Sequence, residues 1–323
     1  MKKLIVSVFG IFLLSIFISK KSYSVEFSPT KNNIEIVVPY SPGGAVDTSG
    51  RMIAEIFEKK GWKAIVVNKP GGDQTIGTNY VAQAIPNGHT LLLTGNGAMD
   101  ANIVFDAPGR AYDENSLEAV GIIGYGSYVL VVSNESSVKN YEQFKKYVKE
   151  NPSKFKIGFF NIHTAAFIKE WAKIEGLPEP TIVPYKGSAP QITDILGGHI
   201  EFTFDTFAAV NKLYSSDKLK IIATLDDKNT DRVQKIKGDK SIIAISKLSP
   251  DLQQGPWHGI FVTAKTEKKV KEEIYNVVLE GIKQKEYTDR LQEFGFFHLG
   301  GDSKELDQYV KNLRAFYRKS ISK

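Results

Sequence analysis

Short apolar runs and stretches of helical spacing alternate along the first third of the chain. Ile34 to Val38 is an apolar run broken by one acid and predicts a strand. Between Asp47 and Lys60, the residues Met52, Ile53, Ile56 and Phe57 return at helical intervals and predict a helix with one apolar face. Asp47 or Thr48 suits its start, Lys59 and Lys60 suit its negative end, and Gly61 stops it. Ala64 to Val67 predicts the next strand and Thr75 to Ile85 the next helix, ended by Pro86-Asn87-Gly88. Thr90 to Thr94 predicts a third strand. Strand and helix alternate, so the sheet is expected to be parallel with right-handed crossovers. All its strands then end on one edge, which gathers the loops Tyr40 to Gly44, Pro70 to Gly77 and Gly95 to Ala98. Glycine-bearing loops that lead into helix starts present backbone N–H groups, a setting suited to an anion.

A second α/β unit follows the same rhythm. "AVGIIGYGSYVLVVS" is long and apolar, as a strand passing between lobes would be. Tyr141 to Lys149 predicts a helix, Phe155 to Phe160 a strand, and "NIHTAAFIKEWAKIEG" a helix stopped by Gly176. "TIVPYKG" predicts a strand, Ala189 to Leu196 a helix, and "HIEFTFDT" a half-buried strand by its alternation. "LKIIATL" predicts a further strand, and "WHGIFVTA" reads as a second long crossing strand. Two amphipathic helices are expected near the end, Glu267 to Lys283 and Ser303 to Arg318. Two crossings imply a two-lobed protein with a hinge and a cleft. The expected division is residues 25–126 for the first lobe, completed by 253–323, and 127–252 for the second.

Charge and composition change this picture in three ways. Residues 1–24 open with Lys2 and Lys3, run apolar from Leu4 to Ile18, and close on Ser22-Tyr23-Ser24, the layout of a secretory signal peptide. The run is shorter than the roughly 20 residues of a membrane span, which disfavours the alternative of an uncleaved anchor. Removing Lys2, Lys3, Lys20 and Lys21 with that segment lowers the formal charge from +6 to +2. The remaining lysines are interleaved with acids, so no nucleic-acid partner is expected. With no cysteine, disulfides, thiolate metal sites and a cysteine nucleophile are excluded. The expectation is a soluble exported protein of the periplasm.

Catalytic and cofactor signatures do not assemble. His89, His163, His199, His258 and His298 form no local metal motif, no nucleophile elbow occurs, and "PGGAVDT" lacks the Lys-Ser/Thr ending of a phosphate loop and the third glycine of a dinucleotide fingerprint. The protein is therefore expected not to be an enzyme and to need no cofactor or metal. Gly43 and Gly44 serve tight-turn geometry, ligand contact or both. Asp47 is expected to touch a ligand or to cap its helix. His163 and Thr164 open a helix directly after a strand, and Asp205 ends a strand at the same sheet edge, positions open to ligand contact or to a structural role. Trp257 is expected to be core.

Several segments, in order, resemble the substrate-binding proteins of tripartite tricarboxylate transporters, the TctC or Bug family: "IVVPYSPGGAVDTSGRMIAEIF", "VVNKPGGDQTIGTNYVAQAIPNGHTLLL", "VPYKGSAPQITDILGGHIEFTFDT", "GPWHGIFVTAKT" and "LQEFGFFHLGGDSKEL". The resemblance implies an α/β, two-lobed type II periplasmic binding fold, closing by a hinge on a small carboxylate in the interlobe cleft. It also implies a membrane permease of two further proteins as partner. A ligand sensor docking to a signalling receptor is the alternative on the same fold. Carried onto this chain, the implied contacts are Tyr40, Ser41, Gly43 and Gly44, then Thr75, and across the cleft Asn161, His163, Thr164 and Asp205. Ala45-Val46 stand where Gly-Thr is usual, Asp73-Gln74 where a small pair is usual, and Tyr40 where phenylalanine is common. Phe160 and Ile162 fill places often held by glycine.

Overall fold

The computed structural model describes residues 26–159, 162–185, 188–225, 227–245, 255–293 and 295–321. The expected signal peptide at 1–24 lies outside these residues, as do Phe160 and Asn161.

The chain opens with β1 (Ile34–Val38), α1 (Ala45–Lys59), β2 (Ala64–Asn68), α2 (Thr75–Ala82), β3 (Thr90–Thr94), α3 (Ala101–Val104) and β4 (Leu117–Gly126). It continues through β5 (Tyr128–Ser133), α4 (Tyr141–Glu150), β6 (Lys156–Phe159), α5 (Ile162–Ile174), β7 (Thr181–Pro184), α6 (Ser188–Leu196), β8 (Phe202–Thr206), α7 (Phe207–Ser215), β9 (Leu219–Thr224), α8 (Asp227–Lys237) and β10 (Ile243–Ala244). The last part is β11 (Trp257–Thr263), α9 (Lys268–Ile282), α10 (Lys285–Glu293), β12 (Phe296–Gly301) and α11 (Ser303–Ile321).

The strands form two sheets, ordered β12-β4-β11-β3-β1-β2 and β10-β9-β5-β8-β6-β7. β1 pairs in parallel with β2 and β3, as the alternating pattern requires, so the three loops leave from one edge. β11 returns antiparallel between β3 and β4, which ties the C-terminal part of the chain into the first sheet. In the second sheet β6 pairs in parallel with β7 and β8, and β5 runs antiparallel between β8 and β9. Helices cover both faces of each sheet, giving a two-lobed α/β molecule. On the first sheet, α1 and α9 bury Ile53, Phe57, Ile274 and Val278 on one face, while α11 buries Leu306, Val310 and Leu313 on the other.

Several local expectations are corrected. α1 starts at Ala45 rather than Asp47, with Gly44 as N-cap and no side-chain cap, so neither Asp47 nor Thr48 holds that position. The long apolar stretch is two strands, broken at Ser127, because its halves join different sheets. β11 bonds only within the first sheet and does not itself cross. β8 is buried on both sides apart from Thr206, since its small polar alternates Thr203 and Asp205 lie under cover rather than in solvent. Between the two expected C-terminal helices the chain adds α10 and β12; "QKEYTDRLQEF" is too polar, and "FFHLGG" too short, to stand out by periodicity.

The crossings are tight. Gly126 N–H donates to Pro256 O at 2.8 Å, joining the two segments that lead between the sheets. A β-carbon on Gly255 would run into the Gly126 carbonyl, and one on Gly126 into the Gly295 carbonyl. Ser127 is fully buried; its carbonyl accepts from Phe207 N–H at 3.2 Å and its hydroxyl oxygen from Leu225 N–H at 3.2 Å.

Candidate ligand-binding site

The first loop is shaped by backbone before side chains. Gly43 has φ +86°, a left-handed conformation that glycine adopts without strain, and a β-carbon there would meet nothing within 4 Å. Gly44 is extended, and its carbonyl accepts both the N–H and the hydroxyl of Thr48. A helix start leaves its first N–H groups outside the intrahelical ladder. At α1 no side chain caps them, so the amides of Ala45 and Val46 open toward the loop with the positive end of the helix dipole behind them.

Asp47, 2 % exposed, holds this turn. Its Oδ2 accepts from Gly43 N–H and Arg51 Nε, both at 2.9 Å, and its Oδ1 from Arg51 Nη2 at 3.1 Å and Asn68 Nδ2 at 2.9 Å. Asn68, at the end of β2, also donates to Tyr40 O at 3.1 Å. Burial disfavours the charged carboxylate, but hydrogen bonds from Arg51, Gly43 and Asn68 outweigh it and hold the Asp47 pKa below its ordinary value. The Gly43 N–H is thus engaged within the loop. Ser41 is exposed.

The second and third loops are bound to one another and to the first. Gly71, Gly72, Asp73 and Gln74 all have positive φ, an unusual run for the two non-glycine members. It curls the chain so that Gly72 O accepts Thr75 N–H at 3.1 Å and the Thr75 hydroxyl at 2.7 Å. Thr75 is 2 % exposed, its hydroxyl closing the loop. Gln74 Oε1 accepts from Ala98 N–H at 2.9 Å, and Asn102 Nδ2 donates to Asp73 O. The Tyr40 hydroxyl donates to Asn96 O at 3.1 Å, and Asn96 Nδ2 donates to Gly255 O at 3.2 Å beside the crossing. Burial raises the Tyr40 phenol well above its ordinary pKa, so it stays neutral.

On the second sheet, Asp205 is the penultimate residue of β8 and is fully buried. Its Oδ1 accepts from the Ser188 hydroxyl at 2.8 Å and Thr206 N–H at 2.7 Å, and its Oδ2 from Gln191 Nε2 at 3.2 Å. Burial pushes its pKa up to about 6, against the pull of Ser188 and Thr206. Asp205 thereby fixes the start of α6 against β8. His163 and Thr164 lie in the first turn of α5, directly after β6; Asn161 lies outside the described residues.

Two aromatic residues beside the loops are structural. Trp257 is fully buried in the core beneath α11. His258 is 4 % exposed, and its Nδ1 lies 2.8 Å from the Ser49 hydroxyl, joining β11 to α1. Burial pushes its pKa down to about 3, so it is neutral at physiological pH.

The family model described as Tripartite tricarboxylate transporter family receptor matches residues 50–322. The chain belongs to this family. Its curated relatives include a UPF0065 protein of Pseudomonas sp. strain P51, 25 % identical over 88 % of this chain and 84 % of its own length. Another is BugT of Bordetella pertussis, 24 % identical over 82 % of this chain and 80 % of its own. Among solved structures, a TctC solute-binding protein from Polaromonas superposes with a TM-score of 0.74 at 23 % identity, covering 90 % of this chain and 98 % of that one. An R. palustris protein with adipate gives 0.75 at 22 % identity, over 90 % and 96 %. MatC of Rhodopseudomonas palustris with bound malate gives 0.70 at 20 % identity, over 90 % and 98 %. At these identities the superpositions establish the fold, a two-lobed periplasmic binding fold.

The first loop precedes the stretch matched by the TctC family model, so its function rests on its geometry. Sequence reading marked Gln74 only as a departure from the family pattern and did not single out Arg51, Asn68, Asn96, Ser188 or Gln191; these residues organise the loops of this TctC protein. Arg51 carried a signal, since it stands four residues after Asp47 on one helix. The others act across long sequence separations that no local pattern records.

Proposed function

We propose that this TctC-family protein is an extracytoplasmic, periplasmic solute-binding protein that captures a small carboxylate in the cleft between its lobes and delivers it to a tripartite tricarboxylate-type membrane permease. The lobes are residues 25–126 with 253–323, and residues 127–252. One observation carries the proposal: α1 starts without a side-chain cap at the carboxyl edge of a parallel sheet, on a loop fixed by a buried carboxylate. Amides at such a helix start receive one carboxylate of the ligand by oriented hydrogen bonds. Tyr40, Ser41, Gly43 and Gly44 form the contact loop, with Asp47 holding its shape from within the protein and Thr75 closing the second loop beside it. Asn161, His163, Thr164 and Asp205 complete the site from the second lobe, Asp205 by anchoring α6. The bound malate and adipate of the two R. palustris proteins support a carboxylate as ligand. The site acts by holding and releasing, without a cofactor and without catalysis.

A thermal-shift screen of the chain lacking residues 1–24 tests the reading, with mono-, di- and tricarboxylates, amino acids, sugars and cations. A ligand at 100 times its dissociation constant stabilises by about 2.7 kcal/mol. Silence across all acids together with a clear shift for a sugar or a cation would overturn it.

A further inference from the structure

A second concave surface lies on the first lobe, between α11 and the segment that leads into β4, with a volume of about 740 Å³. Its α11 wall carries Lys304, Lys311, Arg314 and Arg318, and α9 adds Lys271. Three acids face them, and each is already paired: Glu118 with Lys271, Asp307 with Lys311, and Glu114 with both Arg314 and Arg318. Five cations against three acids leave a surplus of two positive charges within one groove. Lys304 has no acidic partner among the described residues, and a single carboxylate serves two guanidinium groups. Arg314 is only 4 % exposed and is anchored by its Nη1, which donates to Met99 O at 3.1 Å. A guanidinium so fixed is preorganised for a carboxylate, and the surplus charge gives the groove a net attraction for acidic groups.

The groove's length separates a peptide from a small acid. Its lining runs along α11 from Ser303 to Arg318, roughly 22 Å at 1.5 Å per helical residue. An extended chain of about six or seven residues spans that distance, at 3.3–3.6 Å per residue. The geometry points to this groove as a docking surface for an extended acidic segment of a partner protein, separate from the ligand cleft. Carboxylates of the segment engage Lys304, Lys311 and Arg318 along one face of α11, with Arg314 as the fixed floor.

Hexaglutamate is the probe, titrated calorimetrically into the protein with hexalysine as control. The expected result is saturable binding of hexaglutamate and none of hexalysine, weakening steeply between about 50 mM and about 500 mM salt as screening shortens the reach of the charges. The double variant Lys304→Glu with Lys311→Glu, both at the surface, is expected to stay folded with only a small drop in melting temperature from loss of the exposed Lys311–Asp307 pair, and to bind hexaglutamate at least about tenfold more weakly. No binding at low salt overturns the inference, as does equal binding by wild type and variant, or equal binding of the two peptides. Free succinate matching hexaglutamate at this groove also overturns it, in favour of a small-anion site. The inference stands on the groove alone, so its failure would leave the carboxylate reading of the cleft intact, and the thermal-shift screen tests that reading separately.

Discussion

At Asp47 two carboxylate oxygens serve four donor atoms from three residues: the Gly43 amide, the Arg51 guanidinium (twice) and the Asn68 side chain. Asp47→Ala would leave the Gly43 N–H and one N–H of the Asn68 side chain, whose amide still reaches Tyr40 O, without an acceptor in a partly buried setting, at about 1–3 kcal/mol for each such group. Arg51 is half exposed and adds little. The expected loss is about 2–4 kcal/mol in urea unfolding, with carboxylate affinity falling further than stability explains. Asp205 makes a prediction of opposite character. Its folded pKa of about 6 lies above the ordinary 3.8, so the native chain holds the proton more tightly than the unfolded chain. Stability should therefore fall as pH rises from about 4 to about 6 and level off above, by on the order of 3 kcal/mol. Asp205→Asn should flatten that part of a stability–pH curve; an unchanged slope would show that the buried carboxyl ionises normally.

Among the elements, α1 depends on a residue that propensity would reject. Gly50 is buried mid-helix, where glycine costs about 1 kcal/mol relative to alanine. A β-carbon there would lie 3.1 Å from Val38 Cγ2, 3.3 Å from Leu93 Cδ2 and 3.6 Å from Val66 Cγ1, so glycine is what lets α1 sit down on β1, β3 and β2. Gly50→Val should cost about 1–3 kcal/mol by overpacking and lift the helix start that carries the proposed carboxylate-binding amides. Calorimetric affinity should drop in the same variant, and a stable variant with wild-type affinity would refute the link. Elements were legible where their pattern was local. The β-α-β-α-β opening follows from periodicity alone, and so does the gathering of its three loops. The loop contacts do not: Gln74 to Ala98, Tyr40 to Asn96 and Asn96 to Gly255 join residues whose spacing is set by the fold.

Across the whole molecule, the two sheets meet through Gly126, Ser127 and Gly255, where backbone lies against backbone. Phe316 on α11 packs against cores of both sheets, so the lobes also touch away from the crossings. Gly255→Ala would force the crossing segments apart. If closure traps the ligand, small-angle scattering of the wild type should show a smaller radius of gyration with ligand bound. Gly255→Ala should lose most of that change and bind more weakly. Contraction of the variant equal to that of the wild type would place the moving element elsewhere.

The sequence by itself determined the α/β class, the two-unit rhythm, the parallel opening sheet and the place of the glycine-rich first loop, because strand and helix periodicity and turn chemistry act over a few residues. Only the tertiary structure decided which hydrogen-bonding groups of the gathered loops are spent within the protein and which are left for the proposed ligand. The Gly43 N–H goes to Asp47 and the Thr75 hydroxyl to Gly72, whereas the Ala45 and Val46 amides head a helix with no side-chain cap. Hydrogen bonds are shared out by three-dimensional proximity, and Asn68, Gln74 and Asn96 come within reach of their partners only once the sheet has brought the three loops to one edge.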